Sequence, residues 1–167
     1  MKSQDNKYRV DFEKAIERYS DMIYRIAVTI TRNEEDAKDV FQETFLRLVR
    51  NQDKIVSEEH LKAWMIRVVS NCAKTMVASP WNRNTQGLEN EREAQEDSYE
   101  HEDNPLFSEL KKLPQKYSVV LYLYYYEGYS VKEIGKMLEK NDNTIKTLMS
   151  RGRDLLKRNL EGEEMHE

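Results

Sequence analysis

Cysteine is nearly absent from this chain: Cys72 is the only one among 167 residues, so no internal disulfide forms and no cysteine-rich zinc site can be assembled. Glycine and proline are scarce as well, at 5 and 3. No stretch alternates apolar with polar residues over the length of a strand, which leaves helix as the element that the pattern supports. No apolar run approaches the roughly 18 residues of a membrane span, and the opening MKSQDNKYRV lacks the apolar core of a signal peptide. These absences point to a soluble protein of a reducing, cytoplasmic compartment, without membrane insertion. Apolar residues make up 38% and charged residues 35%. That is too polar for one thick core and fits two small helical units.

Histidine is also rare. His60, His101 and His166 share no spacing, and the chain has no phosphate loop, Ser, His and Asp constellation or paired-carboxylate pocket. Glu100, His101, Glu102 and Asp103 adjoin one another, but in a run so acidic that a solvated tether is a simpler reading than a metal site. Neither an enzyme nor a metal or cofactor is expected.

Charge is distributed in blocks. Residues 1–84 carry 15 basic and 13 acidic side chains, 85–104 carry 1 and 8, and 105–167 carry 11 and 10. The net charge of −4 therefore reports the middle block, TQGLENEREAQEDSYEHEDN. With few apolar residues and strong self-repulsion, that block reads as a flexible acidic linker. The fold class predicted is all-α: a helical domain over 1–84, the linker at 85–104, and a second helical domain over 105–160 that ends in a helix-turn-helix, followed by a tail at 161–167.

In the first domain, Phe12, Ile16, Tyr19, Ile23, Ile26 and Ile30 recur at helical spacing, and Arg32 and Asn33 break the helix. A second helix from about Glu34 to Arg50 has acids in its first turn, where the helix dipole favours them. Its buried stripe reads Ala37, Val40, Phe41, Thr44, Phe45 and Leu48, while Asp36, Asp39, Gln42 and Glu43 form a second stripe of acceptors. After a loop at 51–57, a third helix starts near Glu58 and buries Leu61, Trp64, Met65, Val68, Val69 and Cys72, and Pro80 ends it. Its other side presents Arg67, Ser70, Asn71 and Lys74, a mixture of cations, amide and hydroxyl suited to a nucleic-acid backbone and exposed bases. Trp64 shares the apolar stripe and reads as core rather than as a stacking platform.

The second domain is predicted to hold helices over about 106–113 and 115–127, separated by Pro114 and closed by Gly128. Four tyrosines, Tyr122, Tyr124, Tyr125 and Tyr126, cannot all face one core, and a packing role with hydroxyls reaching solvent is expected for most. Then comes SVKEIGKMLEKNDNTIKTLMSRGRDLLKR, residues 130–158. Ser130 and Glu133 make a capping box, and Val131, Ile134, Gly135 and Leu138 share a face. After a break at Lys140 and Asn141, Ile145, Met149, Gly152 and Leu156 form the next buried stripe. The opposite face carries Asn143, Thr144, Lys146, Thr147, Ser150, Arg151 and Arg153, the donor-rich types that reach phosphates and base edges from a major-groove helix. Helical hairpins with a basic face also occur in proteins that never touch DNA. Here the cap, the turn length and a local net charge of +3 over 141–160 favour DNA.

Four segments in order, DAKDVFQETFLRL (36–48), HLKAWMIRVVSN (60–71), KKLPQKYSVVLYLYYYEGYSVKEIGKML (111–138) and NTIKTLMSRGRDLLK (143–157), resemble the extracytoplasmic-function sigma factors of bacterial RNA polymerase. The resemblance covers about 130 residues and implies a two-domain initiation factor without catalytic chemistry. The first domain would bind core RNA polymerase and the minus-ten element, and the second the minus-thirty-five element of promoter DNA. It implies polymerase docking through Asp36, Asp39, Gln42 and Glu43, minus-ten contacts through Lys54, Arg67, Ser70, Asn71 and Lys74, and upstream contacts through Asn143, Thr144, Lys146, Thr147, Ser150 and Arg151. An anti-sigma factor is a common partner in the family. Holding flipped, single-stranded bases would favour promoter opening without nucleotide hydrolysis.

Three positions depart from the family pattern. Glu139 stands where a glycine commonly ends the first helix of the helix-turn-helix. A left-handed non-glycine residue there would cost about 1 kcal/mol, unless the turn is shaped differently around Asn141. Leu148 replaces a frequent basic residue, and AKTMVASPW, residues 73–81, lacks the usual acidic and arginine side chains. The competing class is a stand-alone helix-turn-helix regulator that binds an operator without polymerase. Such proteins usually need a dimer seam to space two recognition helices, and no long heptad repeat supplies one.

Overall fold

The computed structural model describes residues 8–78 and 105–164, which form seven α-helices and a short 3-10 turn, with no strand among them. The predicted linker, Pro80 and the end of the tail lie outside the described residues. Helix α1 runs Phe12–Thr31, α2 Glu34–Asn51 and α3 Glu58–Ala78. Their starts follow from short polar side chains. The Asp11 carboxylate accepts from the Lys14 N–H (3.2 Å), the Asn33 carbonyl oxygen from Asp36 (3.1 Å) and the Ser57 hydroxyl from His60 (3.0 Å). Each satisfies one of the free N–H groups of a first turn. Arg32 ends α1 in the left-handed conformation (φ 53°), and its N–H donates to Val28 O, so the break falls where the sequence put it.

The three helices pack on one another around Ile23, Ile26, Leu48, Leu61, Met65 and Ile66, with Ile55 from the intervening loop equally buried. Three expectations for this core need correction. Ile16 is 50% exposed, because it lines an open groove beside Phe41, Phe45 and Leu46 of α2. Phe41 and Phe45 are half-buried, with ring centroids 5.0 Å apart. Trp64 and Val68 are likewise only half-buried, packed against the edge of the core.

The second unit comprises α4 (Pro105–Lys112), α5 (Gln115–Tyr125), α6 (Val131–Leu138) and α7 (Asp142–Glu164). Gly128, at φ 72°, makes the reversal before α6, a conformation that costs glycine nothing. The Ser130 hydroxyl accepts from the Glu133 N–H (3.1 Å), and the Asn141 side chain accepts from the Thr144 N–H (2.8 Å). Asn141 thus starts α7 rather than reshaping the preceding turn. Glu139 itself takes the left-handed position (φ 58°), donating its N–H to Gly135 O. The turn is so tight that a β-carbon at Gly135 would lie 2.6 Å from Lys140 O.

Tyr122 is fully buried, whereas Tyr124 and Tyr125 are 37% and 48% exposed and Tyr126 is half-buried. Tyr122 stacks on Tyr126, and Phe107 meets both edge-on.

The two units also pack on each other. Helix α1 lies against α4 and α5, and α3 lies against α6, so one contiguous apolar cluster runs through both halves.

Candidate promoter and polymerase surfaces

On α7 the burial of Ile145, Met149 and Gly152 turns the opposite face to solvent, and all six predicted contact residues, Asn143, Thr144, Lys146, Thr147, Ser150 and Arg151, are exposed there. Thr147 donates its hydroxyl back to Asn143 O (2.9 Å), a local bond within the helix. Arg153 is committed elsewhere. Its Nε donates to the Tyr125 hydroxyl (2.8 Å) and its guanidinium lies 5.6 Å from the ring centres of both Tyr124 and Tyr125. It pins α7 to α5 by cation–π and hydrogen-bond contacts.

On α2, Asp39 and Gln42 are exposed, while Asp36 and Glu43 are half-buried. Glu43 accepts from Arg47 Nε (3.0 Å) and faces Arg50 at 3.7 Å, so part of its charge is already balanced. Beside this stripe lies a feature that the sequence reading missed: an apolar groove of about 550 Å³ bounded by Phe12, Ile16, Phe41, Phe45, Leu46 and Val49, with Gln42 on its wall. Leu46 and Val49 are about half exposed. The signal for it was present, since these two apolar residues stand three apart, off the buried stripe of their own helix.

The third set is brought together only in part. Lys54 is exposed on the 3-10 turn, and Arg67 and Asn71 are exposed on α3. Ser70 is a correction: it is 0% exposed, because it follows Ile66 by four residues and precedes Ala73 by three, both on the buried face. Its hydroxyl oxygen has no hydrogen-bond partner among the described residues. Lys74 is half-buried, and burial, then the neighbouring charge of Lys140, pulls its ammonium below the ordinary lysine range. Arg67 forms an ion pair with Glu139. Cys72, buried nearby, has its thiol pushed up by desolvation, which leaves it a poor nucleophile. No cluster of three His, Cys, Asp or Glu side chains arranged for a metal, and no helix long and apolar enough to cross a membrane, occurs among the described residues.

These surfaces coincide with two known modules. The sigma-70 region 2 profile matches residues 15–83 and the sigma-70 region 4 profile residues 105–156. The chain is 27% identical over 165 residues to the ECF RNA polymerase sigma factor SigW of Bacillus subtilis (89% of this chain, 88% of that protein). It is 25% identical over 145 residues to the RNA polymerase sigma factor SigV of the same organism (85% and 86%). In fold it resembles the sigma factor RpoE of Bartonella quintana in complex with the anti-sigma factor NepR, with a TM-score of 0.68, 19% identity, and coverage of 90% of this chain and 97% of that one. It also resembles CnrH in complex with the cytosolic domain of CnrY, with a TM-score of 0.62, 20% identity, and coverage of 90% and 88%.

The chain belongs to the extracytoplasmic-function class of the sigma-70 family. It is an alternative sigma factor that directs transcription initiation with RNA polymerase. Proteins of this class recognise DNA rather than catalyse a reaction.

Proposed function

We propose a division of labour among the three surfaces. Residues 1–84 act as the region 2-like domain, 85–104 as the linker, 105–160 as the region 4-like domain and 161–167 as a tail, in a cytoplasmic protein. Asp39 and Gln42, with Asp36 and Glu43 at their side, dock core RNA polymerase, and the adjoining apolar groove adds a hydrophobic anchor to what charge alone would make a weak, salt-sensitive contact. Lys54, Arg67, Asn71 and Lys74 meet the minus-ten region. Asn143, Thr144, Lys146, Thr147, Ser150 and Arg151 meet the minus-thirty-five element, the exposed face of α7 serving as the major-groove reader.

The observation that carries this reading is the exposure of all six α7 residues on one side of a helix whose other side is locked against α5. An anti-sigma factor is a further expected partner, in keeping with the RpoE complex that the fold resembles. Run-off transcription with core RNA polymerase and genomic DNA tests the whole scheme. Start sites that appear only when this chain is added support it, and an unchanged transcript pattern overturns it.

A further inference from the structure

A cleft of about 170 Å³ lies where the end of α3 faces the start of α5 and the turn after α6. Two kinds of side chain bound it. Ile30 of α1, Val119 and Val120 of α5 and Leu138 of α6 are all buried and give it an aliphatic floor. Lys116 and Lys140 are exposed and Lys74 is half-buried, so the rim above that floor is cationic.

The positive charge of this rim is not balanced by the protein. Lys74, Lys116 and Lys140 form no ion pair among the described residues. Burial, then Lys140, disfavours the charge on Lys74, and Glu139, which acts in the opposite sense, is already paired with Arg67. Lys116 leans on the Tyr117 ring, 4.9 Å from its centre, an exposed contact weak enough to be exchanged for an anion. The start of α5 adds to the same potential. Pro114 precedes it without a side-chain cap, which leaves the positive end of the helix open beside Gln115 and Lys116. Gln115 also lines the cleft, and its Oε1 is a buried acceptor without a hydrogen-bond partner among the described residues. Buried acceptors of that kind call for a donor.

We propose that the cleft is a binding site for a small organic acid with an apolar body. The carboxylate meets the lysines, the body covers the aliphatic floor, and a hydroxyl of the acid donates to Gln115 Oε1. The volume lies below the ~300–1,000 Å³ of a site for a drug-sized ligand, so the occupant is of the size of a substituted benzoate. Lys74 also belongs to the set assigned to DNA, but Ile30, Val119, Val120 and Leu138 do not. A nucleic-acid backbone would satisfy the cations and leave that floor uncovered.

The test is a titration of the full chain with para-hydroxybenzoate, followed by NMR of the isoleucine, leucine and valine methyl groups. One saturable site is expected, with the largest shifts at Ile30, Val119, Val120 and Leu138. Benzoate, which lacks the hydroxyl, should bind about fivefold more weakly, the worth of one hydrogen bond. The uncharged para-hydroxybenzyl alcohol should bind about tenfold more weakly or worse, because the charge-assisted contacts are lost. Lys116→Gln with Lys140→Gln should weaken para-hydroxybenzoate by a similar factor, and the ligand series decides the matter without any substitution. Inorganic phosphate or an oligo-dT strand that moves the same methyl groups with equal affinity would make the cleft a plain cationic patch and overturn the organic-acid site. So would equal binding of the alcohol, equal binding by the K116Q/K140Q chain, or no saturation up to ~10 mM ligand.

Discussion

Gly152 of α7 lies against Leu121 of α5 so closely that a β-carbon at 152 would come within 2.9 Å of Leu121 Cδ1, and within 3.1 Å of Tyr117 Cβ. The leucine tip can shift, but the tyrosine β-carbon is fixed to its helix. Gly152→Val should therefore destabilise the second unit by about 1–3 kcal/mol, the range for overpacking a filled core, and tilt the reading face of α7. Thermal unfolding of the variant beside the parent measures it, and an unchanged midpoint would mean the two helices are not held at this spacing.

Asp39→Lys with Gln42→Lys should abolish co-purification with core RNA polymerase, since two exposed acceptors become like charges toward a basic partner. Leu46→Glu should weaken the same interaction about tenfold or more, because a carboxylate in an apolar groove must be desolvated on docking. If Leu46→Glu binds as well as the parent, the groove has no part in docking.

Lys146→Ala and Arg151→Ala should lose protection of the upstream promoter element in footprints while retaining polymerase. Each should also lower the slope of log affinity against log salt by about 1, the signature of one lost phosphate contact. If Arg151→Ala instead relaxes the preference at one base pair, Arg151 is a base reader.

Alkaline titration should place Tyr8 and Tyr19 among the late-titrating phenols, together with Tyr129 and the buried Tyr122, which burial also pushes up. Tyr8 and Tyr19 donate their hydroxyls to Glu58, at 2.9 and 2.8 Å, and burial, then the bond to that carboxylate, pushes each pKa up to about 12. A folded value above the unfolded value of about 10 contributes stability that is fully present below pH ~10 and lost as the pH rises through about 12. Glu58 has the opposite sense. The Tyr19 hydrogen bond, its largest cause, holds it below the usual range, so its contribution is present above the ordinary carboxylate value and lost as the pH falls. Tyrosinate absorbance should show one fewer late-titrating phenol in each of Tyr8→Phe and Tyr19→Phe, with those of Tyr122 and Tyr129 left in place.

The helices and their breaks were legible because local signals set them. Asp11, Asn33, Ser57 and Ser130 are short side chains that cap a turn whatever lies beyond, and the α7 face follows from a 4, 3, 4 spacing. Side-chain environment was less legible where two surfaces compete for a helix. Ser70 read as exposed because its neighbours Arg67 and Asn71 are polar, yet its spacing to Ile66 and Ala73 decides its burial. Leu46 and Val49 had no assigned role because they belong to neither the buried nor the acceptor stripe of α2. The ion pair of Arg67 with Glu139 joins residues 72 positions apart, and no periodicity within one helix can announce a partner on another.

The close approach of Gly135 to Lys140 O, with Ile145 packed beside it, holds α6 and α7 together from the inward side of the turn. The outward side of α7 takes no part in that contact. The six exposed residues proposed to read DNA, Asn143, Thr144, Lys146, Thr147, Ser150 and Arg151, can accordingly be exchanged without altering how the helix is mounted, as a key can be recut while its bow still fits the same hand. For promoter engineering, that makes Gly135 the position to leave untouched and the six exposed α7 side chains the alphabet to rewrite.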